Sequence, residues 1–354
     1  MGISSALGSS ALLPAGLGFR NLLINGDMNI WQRGTAVKYN AGQGAYGPDR
    51  WCGSPLYQTS RTQRVSVSSA PGNLWSQYAC RVSNPSTAEV SVSRIKLGQK
   101  IESINAIPLR GRTVVLSFWI RFSASSFTAT SGSYGDFVYS IGAYTSTTDS
   151  ASNTSGADVA ATGTIAVGSF PTSWTKYTLT YVLPTNANNV DVLFGAYDAA
   201  GNTTADVNWY EVTQVQLEAN YSPTPFEQRP IGVELALCQR YFAKSFNQDV
   251  APINASQTGD DGGNHLQTWA PTVGNSYCSF IRLPVTMRRK PDVVVYNAEG
   301  TTPNTWSIYS STAALNSVYA VTVGYKNQNG FLIYASGVTT VTVSNGAWTA
   351  SAEL

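Results

Sequence analysis

Gln214–Phe246 reads QVQLEANYSPTPFEQRPIGVELALCQRYFAKSF, and the changes of pattern inside it divide the chain. In its first positions Val215 and Leu217 fall on one face, while Gln214, Gln216 and Glu218 fall on the other. That is the period of a closing β-strand. Pro223, Pro225 and Pro230 then remove backbone donors and fix φ, so neither a strand nor a helix can run through them. After Gly232 the run VELALCQRYFA consists of good helix formers, with Val233, Leu237 and Tyr241 on one stripe and Cys238 and Phe242 beside it. The stretch therefore predicts the end of one β body, a proline strap, and a short helix leading into a second β body. Such an apolar stripe has to be covered by a neighbouring domain or by copies of the chain.

Upstream, short alternating runs recur without helical spacing: RVSVSS, YACRV, EVSVSRIKL, FVYSIGAY, WTKYTLTYVLP, VDVLFGAY and VNWYEVTQVQLE. The strongest is RTVVLSFWIRF. Val114, Leu116, Phe118, Ile120 and Phe122 share one face and Trp119 lies opposite with Arg121, which predicts a central strand covered on both sides. Strands far apart in sequence that still need partners favour jelly-roll connections. Downstream, FIRLPVTM, DVVVYN, SVYAVTVGYKNQNGFLIYA and TTVTVSNGAW predict a further antiparallel β-domain. Asn327–Gly330 would be its hairpin turn, and Tyr319, Val321, Val323 and Tyr325 would share a face. The fold class expected is all-β. Residues 1–20 form an N-terminal arm, 21–222 a jelly-roll β-sandwich, 223–244 the strap and linking helix, and 245–354 a C-terminal antiparallel β-domain.

Charged residues make up only 12% of the 354, the net charge is +2, and Ser, Thr, Asn and Gly supply most of the polarity. No Lys/Arg run offers a track for phosphates, which argues against a nucleic-acid partner, and MRRK at Met287–Lys290 reads as a solvated strand end. No apolar run reaches the ~20 residues of a membrane span, so membrane insertion is not expected. Cys52, Cys80, Cys238 and Cys278 have no metal spacing and read as buried thiols, with a Cys52–Cys80 pairing left open.

Catalytic signatures are missing. The one histidine, His265, stands near Asp260 and Asp261 in a glycine-bearing loop that reads as polar surface. Glu102, Asp136, Asp191, Asp198 and Asp206 show no local partner that would make a carboxylate pair. Nine tryptophans invite a different chemistry, because indole rings stack on the apolar faces of sugars. Trp119 and Trp209 sit in strands and read as core. Trp75, Trp269 and Trp306, with Tyr134 and Tyr144 beside the Ser/Thr/Gly loops, are the sugar-stacking candidates.

Asn21–Asp27, Phe118–Ile120, Trp174–Tyr177 and Trp209–Leu217 together resemble the framework of the jelly-roll carbohydrate-binding modules that accompany glycoside hydrolases. That resemblance implies a structural calcium, for which Asp27 and Glu211 are the candidate ligands; Asn29 stands where an acid would be expected. A closer resemblance is to bacteriophage tail-fibre and related virion structural proteins. It rests on NLLINGDMNIWQRGT from Asn21, PDRW at Pro48–Trp51, QLE and TPFEQRP around the strap, LALCQRYF at Leu235–Phe242, and the ending WTASAEL. It implies a non-enzymatic homotrimer that contacts other virion proteins through residues 1–20 and attaches to a host surface glycan. Val233, Leu237, Tyr241 and Phe242 would be the contacts between copies. A capsid decoration protein without a host ligand is the other reading it allows. No cofactor is expected beyond that calcium.

Overall fold

Two six-stranded antiparallel sheets lie face to face over the first two-thirds of the chain in the computed structural model. It describes residues 19–39, 44–53, 60–83, 93–126, 136–149, 158–198, 208–254, 267–268, 276–297, 302, 304–310, 313–336 and 343–354. In chain order the strands are β1 (Ala36–Tyr39), β2 (Ala45–Tyr46), β3 (Cys52–Gly53), β4 (Ser60–Ser66), β5 (Tyr78–Ser83), β6 (Ser93–Ile101), β7 (Thr113–Phe122), β8 (Phe137–Tyr144), β9 (Val159–Ile165), β10 (Thr175–Val182), β11 (Asn189–Asp198) and β12 (Trp209–Glu218). The first sheet runs β1-β4-β5-β12-β7-β10 and the second β2-β3-β6-β11-β8-β9. From β5 onward the chain changes sheet at nearly every step. Sequence neighbours are therefore rarely hydrogen-bonded neighbours, which is the jelly-roll arrangement.

The core follows the alternation of the sequence. Val114, Leu116, Phe118, Ile120 and Phe122 of β7 point inward against Val190, Val192 and Phe194 of β11, all fully buried. The Phe118 ring lies 4.8 Å from Phe194 and 5.0 Å from Tyr139, both edge-on, the geometry that aromatic quadrupoles favour. The Asn25–Gly26 turn forms as expected. Asn25 takes φ 57°, and the chain passes so close to β12 that a Cβ on Gly26 would meet the Val215 carbonyl at 2.1 Å.

The second body contains β13 (Phe242–Lys244), β14 (Gln267–Thr268), β15 (Ser276–Arg282), β16 (Asp292–Asn297), β17 (Thr305–Ser310), β18 (Ala313–Ala320), β19 (Thr322–Asn327), β20 (Gly330–Ser336) and β21 (Val343–Ser351). Its organiser is the last strand: β21 pairs with β13, β14, β16 and β17. A small sheet, β15-β20-β19, covers it, and Trp306, Phe331, Trp348, Ile281 and Ile333 fill the space between. The hairpin at Asn327–Gly330 is present. The run before it is not one strand, however, because β18 and β19 belong to different sheets and the chain crosses at Val321. Val321 and Val323 pack on the core, but Tyr325, with φ 45° in a shifted register, is 82% exposed and does not share their face.

The strap and helix stitch the two bodies together through charge. Glu227 accepts the backbone N–H groups of Arg20 (2.9 Å) and Asn21 (2.8 Å). Arg229 donates to the carbonyls of Leu23 and Asn21 and pairs with Glu234, which in turn accepts the Asn25 N–H. Because Glu234 must reach these groups, the helix (Ile231–Gln239) buries Glu234 and Cys238, not the expected apolar stripe. Val233 is exposed and Leu237 half-buried, but Tyr241 and Phe242 are covered by their own chain. The Arg50 guanidinium lies 3.5 Å from the Tyr241 ring and that of Arg33 lies 3.7 Å from Phe242. These two rings are thus unavailable as contacts between copies. The penultimate residue closes the joint: Glu353 bridges Arg33 (3.0 Å) and Arg50 (2.5 Å).

One further expectation is corrected here, and one question left open is decided. The MRRK segment is a solvated end only in its second half: Arg289 and Lys290 are exposed, but Met287 is fully buried and Arg288 donates to the carbonyls of Ala352 and Glu353 while pairing with Glu102 and Asp149. Cys52 and Cys80 lie in different sheets and carry buried thiols, with no bond between them. Among the described residues no helix is long and apolar enough to cross a membrane.

Candidate functional site

On the outer face of the first sheet, two loops raise walls over strands β12, β7 and β10. The hairpin between β4 and β5 folds back across the sheet. Leu74 anchors it against Trp119 and Trp174, and the Trp174 indole N–H donates to the Ser68 carbonyl at 3.1 Å. With Leu74 turned inward, its neighbour Trp75 is turned out and is 50% exposed.

The opposite wall is the proline strap. Thr224 is pinned by its N–H and hydroxyl to the buried Glu218 carboxylate, and the Glu227 N–H donates to Gln216 Oε1 at 2.7 Å. Between the walls lies a cleft of about 320 Å³, lined by Asn73, Trp75, Trp119, Lys176, Gln214, Pro223, Thr224, Pro225 and Phe226.

The floor of this cleft depends on an irregularity. Between Thr213 and Gln216 the pairing of β12 with β7 shifts register, and Gln214 takes φ 48°, a left-handed conformation that is costly for a residue with a side chain. Gln214 is only 3% exposed, and its Nε2 has no hydrogen-bond partner in the protein. A buried amide donor without an acceptor is rare, because leaving it unmade costs ~1–3 kcal/mol. A bound acceptor would relieve that cost.

Farther along the same face, Glu211 is fully buried beneath two guanidiniums. Arg81 contacts one carboxylate oxygen at 2.5 Å and Arg121 the other at 2.6 Å. Arg81 lies over the Trp209 ring at 4.3 Å and Arg121 over Trp174 at 4.9 Å, so Trp75, Trp119, Trp174 and Trp209 all belong to this one face. Chemically the surface offers one exposed indole platform, Trp75, together with cationic and amide donors. Among the described residues that line the cleft there is no carboxylate, histidine or thiol for proton transfer or nucleophilic attack.

The residues expected from sequence are scattered. Trp75 is in the cleft. Trp306 is fully buried in the second core, not exposed on a loop, because it starts β17 and its ring passes over Gly346. Tyr144 ends β8 on the other sheet and is 8% exposed. Its hydroxyl donates to Asp191 at 2.6 Å and Lys100 lies 4.0 Å from its ring, so it is not a stacking platform; burial and the Asp191 charge push its pKa up.

Tyr134, Trp269, Asp260, Asp261 and His265 lie outside the described residues. Glu211 does not fit a calcium ligand, since both its oxygens already face guanidiniums. Asp27 sits at the joint, where it accepts a hydrogen bond from Asn29; burial raises its pKa to about 6, and the nearby Glu234 adds to the rise. Among the described residues no three His, Cys, Asp or Glu groups gather as a metal site would require. Glu102 and Asp191, considered as catalytic acids, are tied to Arg240 and Tyr144 respectively.

Lys176, Gln214 and Phe226 were missed by sequence reasoning. Only an amide on the outward side of a closing strand hinted at Gln214. No local pattern marks the strap as a wall.

No protein-family model matches the chain, and no curated protein matches it. Among solved structures the chain is similar to the enzymatically active domain of Bacteriophage CBA120 tailspike protein 4, at 14% identity and a TM-score of 0.32 over 56% of this chain and 21% of that one. It is similar to a family 16 carbohydrate-binding module at 13% identity and a TM-score of 0.26, over 44% of this chain and 84% of the module. A CBM4 module gives 13% identity and a TM-score of 0.29, over 55% and 98%. This chain thus spans 21% of the tailspike domain's length. Likeness at this level bears on neither ligand nor activity.

Proposed function

We propose that this chain is a non-catalytic attachment protein of a bacteriophage particle, a trimeric tail fibre or part of one, which holds host surface polysaccharide in the cleft of its first sheet. The observation that carries the reading is the pairing of a half-exposed indole, Trp75, with an unpartnered buried amide donor, Gln214. A pyranose has an apolar face that stacks on indole and a rim of oxygens that accept from amides. An open cleft about 320 Å³ in volume suits one or two such rings and leaves a polymer free to pass on.

The virion part of the reading is supported by the sequence motifs that resemble phage structural proteins, and by where they meet. Asn21–Thr35, Pro48–Trp51, Thr224–Pro230, Leu235–Phe242 and the chain end all meet at the joint between the two bodies. Such a joint would hold two β bodies at a fixed angle, which is what a load-transmitting fibre requires. Residues 1–20 would contact other virion proteins. Ile231 and Val233, 62% and 38% exposed on the helix, would meet their counterparts in two further copies. Three weak sites then bind as one, because the second and third events are intramolecular.

The test is binding of the purified protein to an array of bacterial surface polysaccharides, with Trp75→Ala beside it. Retention by one or more glycans, lost in the variant, is expected. Equal signal from both proteins, or binding to capsids with none to any glycan, would sink the reading.

A further inference from the structure

We infer that the glycan held in this cleft is acidic, with a sugar carboxylate of the uronic or sialic type lying between Lys176 and Gln214 while its ring stacks on Trp75. The inference rests on the attachment reading and adds the charge of the ligand. Lys176 lies in β10 opposite Trp119 of β7, and both line the cleft with Gln214. Lys176 is exposed, while the Gln214 Nε2 is buried without an acceptor. The described polar lining is thus one ammonium, one unpartnered amide N–H group and the neutral Asn73 and Thr224.

The acids of the strap wall and of the strand before it are already engaged: Glu227 accepts the Arg20 and Asn21 N–H groups and lies 3.4 Å from Arg229. Glu218, 1% exposed, is committed to Thr224 and Gln216, with Arg20 at 3.7 Å. Farther along the face two guanidiniums, Arg81 and Arg121, share the single carboxylate of Glu211 and leave one positive charge in excess. A neutral sugar hydroxyl would satisfy Gln214 but leave the ammonium solvated. A carboxylate satisfies both, and charge-assisted hydrogen bonds are roughly twice as strong as neutral ones.

The experiment measures affinity for alginate, polygalacturonate, hyaluronate and polysialate, each paired with the same polymer after its carboxyl groups have been reduced to alcohols. Wild-type protein is expected to bind at least one native polymer about tenfold or more tightly than its reduced partner, the ratio that one charge-assisted contact supplies. Lys176→Gln, at an exposed position, is expected to lower affinity for the native polymer about tenfold, to the level of its reduced partner. Reduced polymers bound as well as native ones, or a preference that survives Lys176→Gln, would overturn the inference and leave attachment standing. Failure of wild type and Trp75→Ala alike on every polymer of this panel and of the bacterial array would overturn both.

Discussion

Replacing Glu353 with alanine should loosen the joint far more than its place one residue from the chain end suggests. The carboxylate is 8% exposed and lies 2.5 Å from Arg50, itself 2% exposed, and 3.0 Å from Arg33. Charges ~4 Å apart at an effective dielectric of ~20 interact by ~4 kcal/mol. Truncating one member of a buried pair costs ~3–5 kcal/mol, because the other charge stays behind without compensation. Arg33 loses less, since it also faces Asp49 at 3.7 Å, whereas among the described residues Arg50 keeps the Lys100 carbonyl and the Tyr241 ring.

Glu353→Ala should therefore lower the unfolding free energy by about 3–5 kcal/mol, read by urea denaturation with tryptophan fluorescence at constant pH. Glu353→Gln keeps an acceptor and should cost less. Arg50→Met combined with Glu353→Leu should recover much of the loss, because an apolar pair often replaces a buried ion pair at little cost. A loss below about 1 kcal/mol for Glu353→Ala, the range of exposed pairs, would refute the claim that the chain end locks the two bodies.

Acidification should stabilise the joint. Burial raises the pKa of Asp27 and of Asp49 from 3.8 to about 6, so the folded chain holds these protons more tightly than the unfolded one. Their stabilising contribution is complete below pH 3.8 and is lost as the pH rises through about 6. The urea midpoint should accordingly be higher at pH 5 than at pH 7.5, and Asp49→Asn should flatten that slope; a slope unchanged in the variant would exclude Asp49. Glu211→Ala should cost roughly 1–3 kcal/mol, below the Glu353 value, because Arg81 and Arg121 are partly exposed and water can take up their charge; calorimetry checks the order. Ile231→Asp on the exposed helix edge should shift the mass in solution from three copies toward one without lowering monomer stability, and a mass unaffected by this change would remove the helix from the assembly interface.

The sandwich was legible because its strands obey a single rule. Val114 to Phe122, Tyr177 to Leu183 and Val190 to Phe194 alternate cleanly, since one side of each strand meets the core and a side-chain period of two leaves no other register. The break at Pro223–Pro230 was legible for the same local reason, as proline forbids the hydrogen bonds that would continue the strand. The exposure of Trp75 was legible because it stands among loop residues.

The misreadings share one cause. Trp306, Tyr144, Tyr241, Phe242 and Arg288 were judged by their neighbours in sequence, yet each is covered by a segment far away: β21, Asp191, the Arg50 and Arg33 loops, and the chain end. The helix failed similarly. Its apolar residues suggested an inward stripe, but Arg229 and Asn25 draw Glu234 inward and turn Ile231 and Val233 out.

By itself the sequence determined the all-β class of the fold and the prolines that stop the strand ending at Glu218 from continuing, because alternation and proline act over a few neighbouring residues. Only the tertiary structure decided that the strap is also a wall of the cleft, that Gln214 is left without an acceptor, and that Glu353 pairs with Arg50. Those outcomes depend on which distant segments share a surface, and burial and charge pairing are settled by that meeting.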